Sequence, residues 1–391
     1  MLKCASVYTY EIDDPGVAVD EIKTHLAQKL TLLDHTIGIV MCHPEFINSG
    51  VLQHISENLP FDLVGATTSS QAVNKQTGEL VLTIFVMTGD DVWFRAGVTE
   101  NVTEQIADPI NRAYRQATAD ETAQPKLALI FLPLILRHAG DSYVDVWEQI
   151  IPGTPLFGMI ATDDSLSFDD SETIYRGVGY KRAMPFVLCY GNLHPRFFVG
   201  TLPFDRVMPY KGEITKSAGP FVQEINNISS YKYFEEIGFA SNGAFVENYI
   251  MVPFVIDQKE RDDYDGIPVV RSHASFTENG TAIFRGAVDQ GSTFTLLNCD
   301  PEGILATTRE KVEEVNQLPD INGVLMISCI ARRMMTQRIG PMIDLDIAKD
   351  ALKPEVPFMI GYAGGEVCPT SVRDRIPTNR FHNYSLIILV V

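Results

Sequence analysis

The chain has 391 residues, 45% of them hydrophobic and 21% charged, and a formal charge of −19 from 31 basic and 50 acidic side chains. A single hydrophobic core rarely grows past about 250–300 residues, so two domains are expected. The acidic balance repels phosphate backbones and anionic lipid, which argues against nucleic-acid and membrane-surface partners and favours basic ones.

Cys4 to Tyr8 reads as a strand, and Val17, Val19, Ile22, Leu26 and Leu30 mark one face of a helix. Ile37 to Cys42 is the next strand. A helix then opens near Asn48 or Ser49, both good N-caps, buries Val51, Leu52, Ile55 and Leu59, and stops at Pro60. Phe61 to Val64 run as a short strand into Gly65, and Leu80 to Val86 form a further strand. The pattern recurs with strand Leu127 to Leu132 and a helix capped by Asp141 or Ser142 that buries Val144, Trp147 and Ile151. Leu156-Phe157 then enter Gly158, and strand Pro185 to Tyr190 closes the unit. It recurs again with strand Val324 to Ile327, helical segments through Met334 and Ile347, Phe358-Met359-Ile360 entering Gly361, and strand Leu386 to Val391. Three stretches thus share one order, which predicts diverged internal duplication.

Between the second and third stretches the texture changes. Ala282 to Phe284 and Thr293 to Leu297 are β-rich runs, and Asn279-Gly280 and Gln290-Gly291 are turn dipeptides, which predicts antiparallel hairpins. The Pro- and Gly-rich stretch Gly191 to Gly212 is the expected boundary, giving domains 1–195 and 210–391. The expected fold class is α/β: two α/β domains with mixed sheets covered by helices.

Met1 to Asp14 lacks the basic region and long apolar core of a secretory signal. Apolar runs such as Leu386 to Val391 are far shorter than the roughly 20 residues that span a bilayer. Cys4, Cys42, Cys189, Cys299, Cys329 and Cys368 are scattered without a CxxC pair, so reduced thiols and a cytoplasmic location are expected.

Gly65, Gly158 and Gly361 each end an apolar strand and start a loop of small residues. Ligands in α/β sheets sit at such strand ends, where glycine lets backbone N–H groups approach. Glycine after a strand is also simply a tight turn, and a threefold pattern speaks for duplication as much as for binding. Brought together, the loops would frame one small-molecule pocket.

The segments Ile327-Ser328-Cys329-Ile330-Ala331-Arg332, Gly361-Tyr362-Ala363-Gly364-Gly365-Glu366 and Phe381-His382-Asn383-Tyr384-Ser385 together resemble the FIST C-terminal domain. Val64-Gly65-Ala66-Thr67-Thr68 and the Pro155 to Thr162 loop are similar to the FIST N-terminal domain. Where many members carry a glycine-rich segment, this chain has Gly158-Met159-Ile160-Ala161-Thr162-Asp163, with fewer positions free for positive φ. The resemblance implies an intracellular sensory module that binds a small, amino-acid-like ligand and modulates a separate signalling protein such as a histidine kinase. One branch of the family implies a haem-containing nitric-oxide sensor instead.

The ligand-binding candidates are Gly65, Thr67, Thr68, Gly158, Thr162, Arg332, Gly364, Gly365, Glu366, His382 and Asn383. Arg332 either clamps a ligand carboxylate with its fork or pairs with a structural acid. Glu366 either binds an amine or holds its turn, and His382 and Asn383 either donate to a ligand or pin a loop. Cys329 is either a thiol activated at a helix start, as in a hydrolase-like enzyme, or buried and inert. Asp163-Asp164 and Asp169-Asp170 read as a solvated surface.

The eight histidines never form HxxxH or HExxH, so metal spacing is absent. Haem needs only one axial histidine, for which His273 and His138 are the candidates. P-loop, GxGxxG and GxSxG signatures are missing too, and a binding protein rather than an enzyme is expected.

Overall fold

The repeated order of the sequence becomes three structural units. The computed structural model describes residues 1–74, 76–103, 105–135, 138–165, 167–246, 252–257, 268–373 and 376–391. The first unit runs β1 (Lys3–Thr9), α1 (Pro15–Lys29), β2 (His35–Cys42), α2 (Glu45–Asn48), α3 (Val51–Asn58), β3 (Leu63–Thr67), hairpin β4 (Gln71–Val73) and β5 (Gln76–Gly78), then β6 (Leu82–Gly89). The second repeats it with β7 (Val92–Val98), α4 (Ala107–Ala117), β8 (Leu127–Leu132), α5 (Gly140–Ile150), β9 (Leu156–Ile160), hairpin β10 (Thr173–Tyr175) and β11 (Val178–Tyr180), and β12 (Pro185–Gly191). The third opens with β13 (Arg196–Gly200) and takes in an insertion of antiparallel strands from β14 (Val207–Ala218) to β23 (Thr293–Leu297), with α6 (Ser230–Glu236) among them. It resumes with α7 (Pro301–Asn316), β24 (Val324–Cys329), α8 (Ile330–Thr336), α9 (Ile343–Ala351), β25 (Phe358–Ala363), hairpin β26 (Glu366–Arg373) and β27 (Ile376–His382), and β28 (Leu386–Val390). The fold is therefore mixed α/β, with internally repeated strand–helix–strand units.

Each unit builds its sheet around a parallel pair, β2–β3, β8–β9 or β24–β25, with antiparallel β6, β12 or β28 beside it. The far edge of each sheet is completed by another unit. Hairpin β10–β11 pairs with β3, β26–β27 with β9, and β4–β5 with β25, so the exchange is cyclic.

Strand periodicity explains how the three sheets pack. Ile37, Ile39 and Met41 of β2, Leu127, Leu129 and Phe131 of β8, and Leu325 and Ile327 of β24 all point into one shared core. Their alternates face outward under helices: Val40 and Cys42 under α1 and α3, Ala128, Ile130 and Leu132 under α5, Val324 and Met326 under α7 and α9. Strands buried on both faces read as unbroken apolar runs, which is how they look in the sequence.

Helix starts differ in detail from their expected caps. Asp14 caps α1, accepting from Gly16 N–H at 2.9 Å and Val17 N–H at 3.1 Å. The α3 cap is Gly50, at φ 79°, rather than Asn48 or Ser49. The α5 cap is Ala139, because Asp141 is engaged elsewhere. Val17 lies off the buried stripe of α1 and is exposed. Asn279-Gly280 does join paired strands, β21 (His273–Phe276) and β22 (Ala282–Phe284). Gln290-Gly291 does not, since β22 pairs with β15 (Phe221–Ile225) while β23 pairs with β14 and β19 (Phe254–Asp257).

Close strand approach accounts for two of the glycines. A Cβ on Gly65 would lie 1.8 Å from the Val40 carbonyl oxygen, and one on Gly158 would lie 1.9 Å from that of Ile130. Gly65→Ala and Gly158→Ala must each force a parallel pair apart, with an expected cost above about 2 kcal/mol. Gly364→Ala meets its nearest atoms at 3.3 and 3.5 Å and is expected to stay within about 1 kcal/mol. Urea midpoints of the three variants check this ordering.

Candidate functional site

Gly65, Gly158 and Gly361 do not end their strands as expected but lie inside β3, β9 and β25, paired in the ladders, and it is the loops beyond that meet at the carboxyl ends of these strands. Thr67 N–H donates to the Glu172 carbonyl (2.8 Å), Ile160 N–H to that of Gly365 (2.9 Å), and Tyr362 N–H to that of Ser70 (3.2 Å). Each acceptor immediately precedes an exchanged hairpin, so these bonds weld each sheet to the unit that completes it. Thr162 N–H to the Thr67 carbonyl (3.1 Å) and Gly364 N–H to that of Ile160 (3.0 Å) cross the same seams. Thr67, Thr68, Thr162, Gly364 and Gly365 thus belong to one ring, in which Thr67, Thr68 and Thr162 are fully buried, while Gly65 and Gly158 lie back within β3 and β9 against the Val40 and Ile130 carbonyls.

Arg332 lies outside that ring's polar seam. Fully buried, its Nε donates to Asp344 Oδ2 at 3.0 Å, and Nη2 bonds Asp344 Oδ1, the Ile304 carbonyl and Thr308 Oγ1. Burial pushes the Asp344 carboxyl up. The Arg332 charge, with bonds from Arg332, Ser328 and Thr308, outweighs that and holds it below the ordinary range. The fork is therefore occupied by a structural acid.

Glu366 does stand on the ring. It is fully buried, its Oε2 accepts from Ser385 N–H at 3.4 Å, and its Oε1 has no partner among the described residues. Burial pushes its carboxyl well above the usual range, and it lies beside Cys329, whose thiol burial also raises far above its ordinary value. Such a thiol is almost wholly protonated at neutral pH and is a poor nucleophile. Ser69 Oγ and Tyr362 Oη are likewise sealed without partners. Across the seam, half-buried Arg285 of the insertion has its Nη1 shut off from solvent and unpartnered. Burial lowers its pKa, and its charge reaches Cys329.

Asn383 and its neighbour Tyr384 fasten the insertion, whereas His382 turns inward to β26. Asn383 Oδ1 accepts from Ser272 N–H at 3.2 Å, and Tyr384 Oη donates to Ser272 Oγ at 3.3 Å. Arg271, next in the chain, donates to the carbonyls of Phe381 (3.2 Å) and Ala287 (2.9 Å) and to Asp141 Oδ1 of α5 (2.7 Å). Asp141 Oδ2 in turn accepts from Ala287 N–H at 2.8 Å. His382 is buried, with Nε2 3.1 Å from the Cys368 carbonyl, and burial pulls its pKa down to about 4.

The two haem candidates stand in different surroundings. His273 is buried, with its ring packed against those of Phe245 (3.9 Å between centroids) and Phe254 (5.5 Å). His138 borders a cavity, but its Nε2 is held by the Thr103 carbonyl. Among the described residues no His, Cys, Asp and Glu group is placed to hold a metal ion, and no helix is long and apolar enough to cross a membrane.

Sequence reasoning missed Arg285, Asp344 and the Arg271–Asp141 latch. Each depends on a partner distant in the chain or on a turn between helices, and no local spacing marks it.

Sheets welded at one ring, with a separate β-rich insertion docked over buried, unsatisfied polar groups, define a binding module of the α/β class. The FIST N domain matches residues 36–228 and the FIST C domain residues 231–369, so the chain belongs to the FIST family. FIST domains are sensory, small-ligand-binding modules of signal transduction. No curated protein matches the chain. Among solved structures it is similar to the crystal structure of a cyanuric acid hydrolase from A. caulinodans, over 100% of this chain and 98% of that one, with 8% identity and a TM-score of 0.32.

The two buried titrating groups act in opposite directions. Glu366 keeps its proton in the fold while the unfolded chain loses it above about 4.5, so it removes stability as pH rises through and beyond that value. His382 stays neutral in the fold while the unfolded imidazole protonates below 6.5, so stability falls from pH 6.5 towards about 4. Glu366→Gln is expected to flatten the alkaline decline, and His382→Gln the acid one, the latter by on the order of 3 kcal/mol. Urea midpoints from pH 4 to 8.5 test both signs.

Proposed function

We propose that this protein is a sensor for an amino-acid-like metabolite that seats between the ring and the insertion. The observation that carries the reading is a pair of polar atoms, Glu366 Oε1 and Arg285 Nη1, each shut off from solvent without a hydrogen-bond partner and both beside Cys329. Buried polar groups are nearly always satisfied, so two such atoms around one thiol favour an occupant that pairs with them. A ligand amine on Glu366 and a carboxylate on Arg285 would satisfy both. Arg285 thus takes the role that Arg332 cannot, while Thr67, Thr68, Thr162, Gly364 and Gly365 form the ring wall behind it.

The seam is closed, so a ligand enters by lifting the insertion off Phe381 to Ser385. Binding therefore changes the pose of the insertion, and a separate signalling protein, such as a histidine kinase, reads that pose. The suppressed thiolate of Cys329 supports binding over catalysis.

Thermal melting of the full chain with each of the twenty standard amino acids tests the reading. At about 100 times its Kd the cognate one is expected to stabilise the fold by about 2.7 kcal/mol. Glu366→Gln and Arg285→Gln should each weaken that ligand at least tenfold. A flat response to all twenty, or a shift that survives both substitutions, rules the site out.

A further inference from the structure

The second unit has a loop its counterparts lack. Its link from β9 to the exchanged hairpin spans residues 161–172, where the first unit uses residues 68–70 and the third only Gly364 and Gly365. Asp163, read from sequence as a solvated acid, is buried and folds this link. Its carboxylate accepts from Ser165 N–H at 2.6 Å and Asp170 N–H at 2.8 Å, and Phe168 takes φ 58°.

The loop so held walls a cavity of about 970 Å³. The other walls are connections of the same unit: Thr103 after β7, Ile135 and His138 after β8, and Lys181 and Arg182 after β11. They converge beyond the carboxyl ends of β8 and β9, the place where α/β sheets bind ligands, and the volume suits a small molecule.

The walls carry two cations, Lys181 and Arg182, and one acid, Asp169, in a chain with 19 more acids than bases; Lys181 is paired with Asp170 and Glu172, which leaves Arg182 as the cation that a ligand could engage. Arg182 makes no ion pair among the described residues. Its Nε donates to the Val102 carbonyl at 3.3 Å, which orients the guanidinium and leaves both Nη groups available. Lys181 stands next to it, 3.3 Å from Asp170 Oδ1. Tyr143 packs edge-on against His138 within reach of the Arg182 charge, and its buried hydroxyl has no partner. Ser167 and Ser171 add hydroxyls along the loop.

We infer that this cavity is a second ligand site, for a small hydroxylated organic anion whose phosphate or carboxylate sits on the Arg182 fork. A planar fork holds two oxygens at once, which a surface lysine cannot do.

Calorimetric titration of the full chain with glycerol 3-phosphate, malate and inorganic phosphate tests it. At least one organic anion is expected to bind saturably and more tightly than inorganic phosphate, the preferred one distinguishing phosphate from carboxylate. Arg182→Gln, at an exposed position where the fold should persist, is expected to weaken it at least tenfold, and Lys181→Gln by less. Glu366→Gln should leave it unchanged. Absence of saturable binding by all three probes, equal binding by wild type and Arg182→Gln, or equal loss in Glu366→Gln would each overturn the assignment. Because the amino-acid site is read by Glu366 and this one by Arg182, failure of either leaves the other standing.

Discussion

The cyclic exchange of hairpins is the constraint on which the rest of the architecture rests. An open strand edge leaves a row of N–H and C=O groups that must find partners. Here β3, β9 and β25 each find them in a hairpin from another unit. No sheet is complete within its own unit, and the ring of exchanges closes only when all three units are present, since β4–β5 near the start of the chain waits for β25 near its end. Such long-range pairing raises contact order and favours slow, cooperative assembly. It also draws the loops together: each hairpin must cross from one sheet to another at the same end, so the loops after β3, β9 and β25 converge whether or not a ligand is bound. The shared ring is therefore first a requirement of the fold and only then a place where chemistry can be added.

Chemistry is added where the insertion meets that ring. Arg271 and Ser272 reach across to Asp141 and to the Phe381–Tyr384 segment, and the hydrogen bonds of this latch involve a largely buried charge. Breaking one partner of a buried ion pair costs more than the pair itself contributes, so the latch behaves as a unit that is either closed or open. Near it stand Glu366 Oε1 and Arg285 Nη1, two buried polar atoms without hydrogen-bond partners. A ligand that satisfied them would shift the balance between closed and open latch by its differential affinity for the two.

Much of this was legible from residue order because β2, β8 and β24 are buried on both faces and leave uninterrupted apolar runs. The convergence of the loops after Gly65, Gly158 and Gly361 followed from their equivalent places in a repeated unit. What stayed hidden depended on contacts that spacing does not encode. Arg332 could be read equally as a ligand clamp or as the partner of a structural acid, because Asp344, twelve residues on, turns back to it only after the α8–α9 corner. The exchanged hairpins have strands as short as three residues; Arg176-Gly177, with φ of 51° and 78°, marks one turn, but nothing in the sequence says which sheet it joins. Asp163 looked solvated because it begins an acidic, serine-rich run, yet it is the scaffold around which that run folds.

The two polar regions of the molecule are separated by little chain. His138 borders the second-unit cavity, and Asp141, three residues on in the first turn of α5, holds Arg271 of the insertion. Any repositioning of the segment leading into α5 is therefore delivered to the latch through a short stretch of backbone and a bond of 2.7 Å. Thermodynamic linkage makes such a connection reciprocal: if an anion in the cavity favours the closed latch, closing the latch favours the anion by the same factor. A ligand at the ring that works by opening the latch would then oppose the anion, and one that works by tightening it would assist. Any such coupling would run through Asp141, whose carboxylate in the first turn of α5 holds both Arg271 and the Ala287 N–H of the insertion.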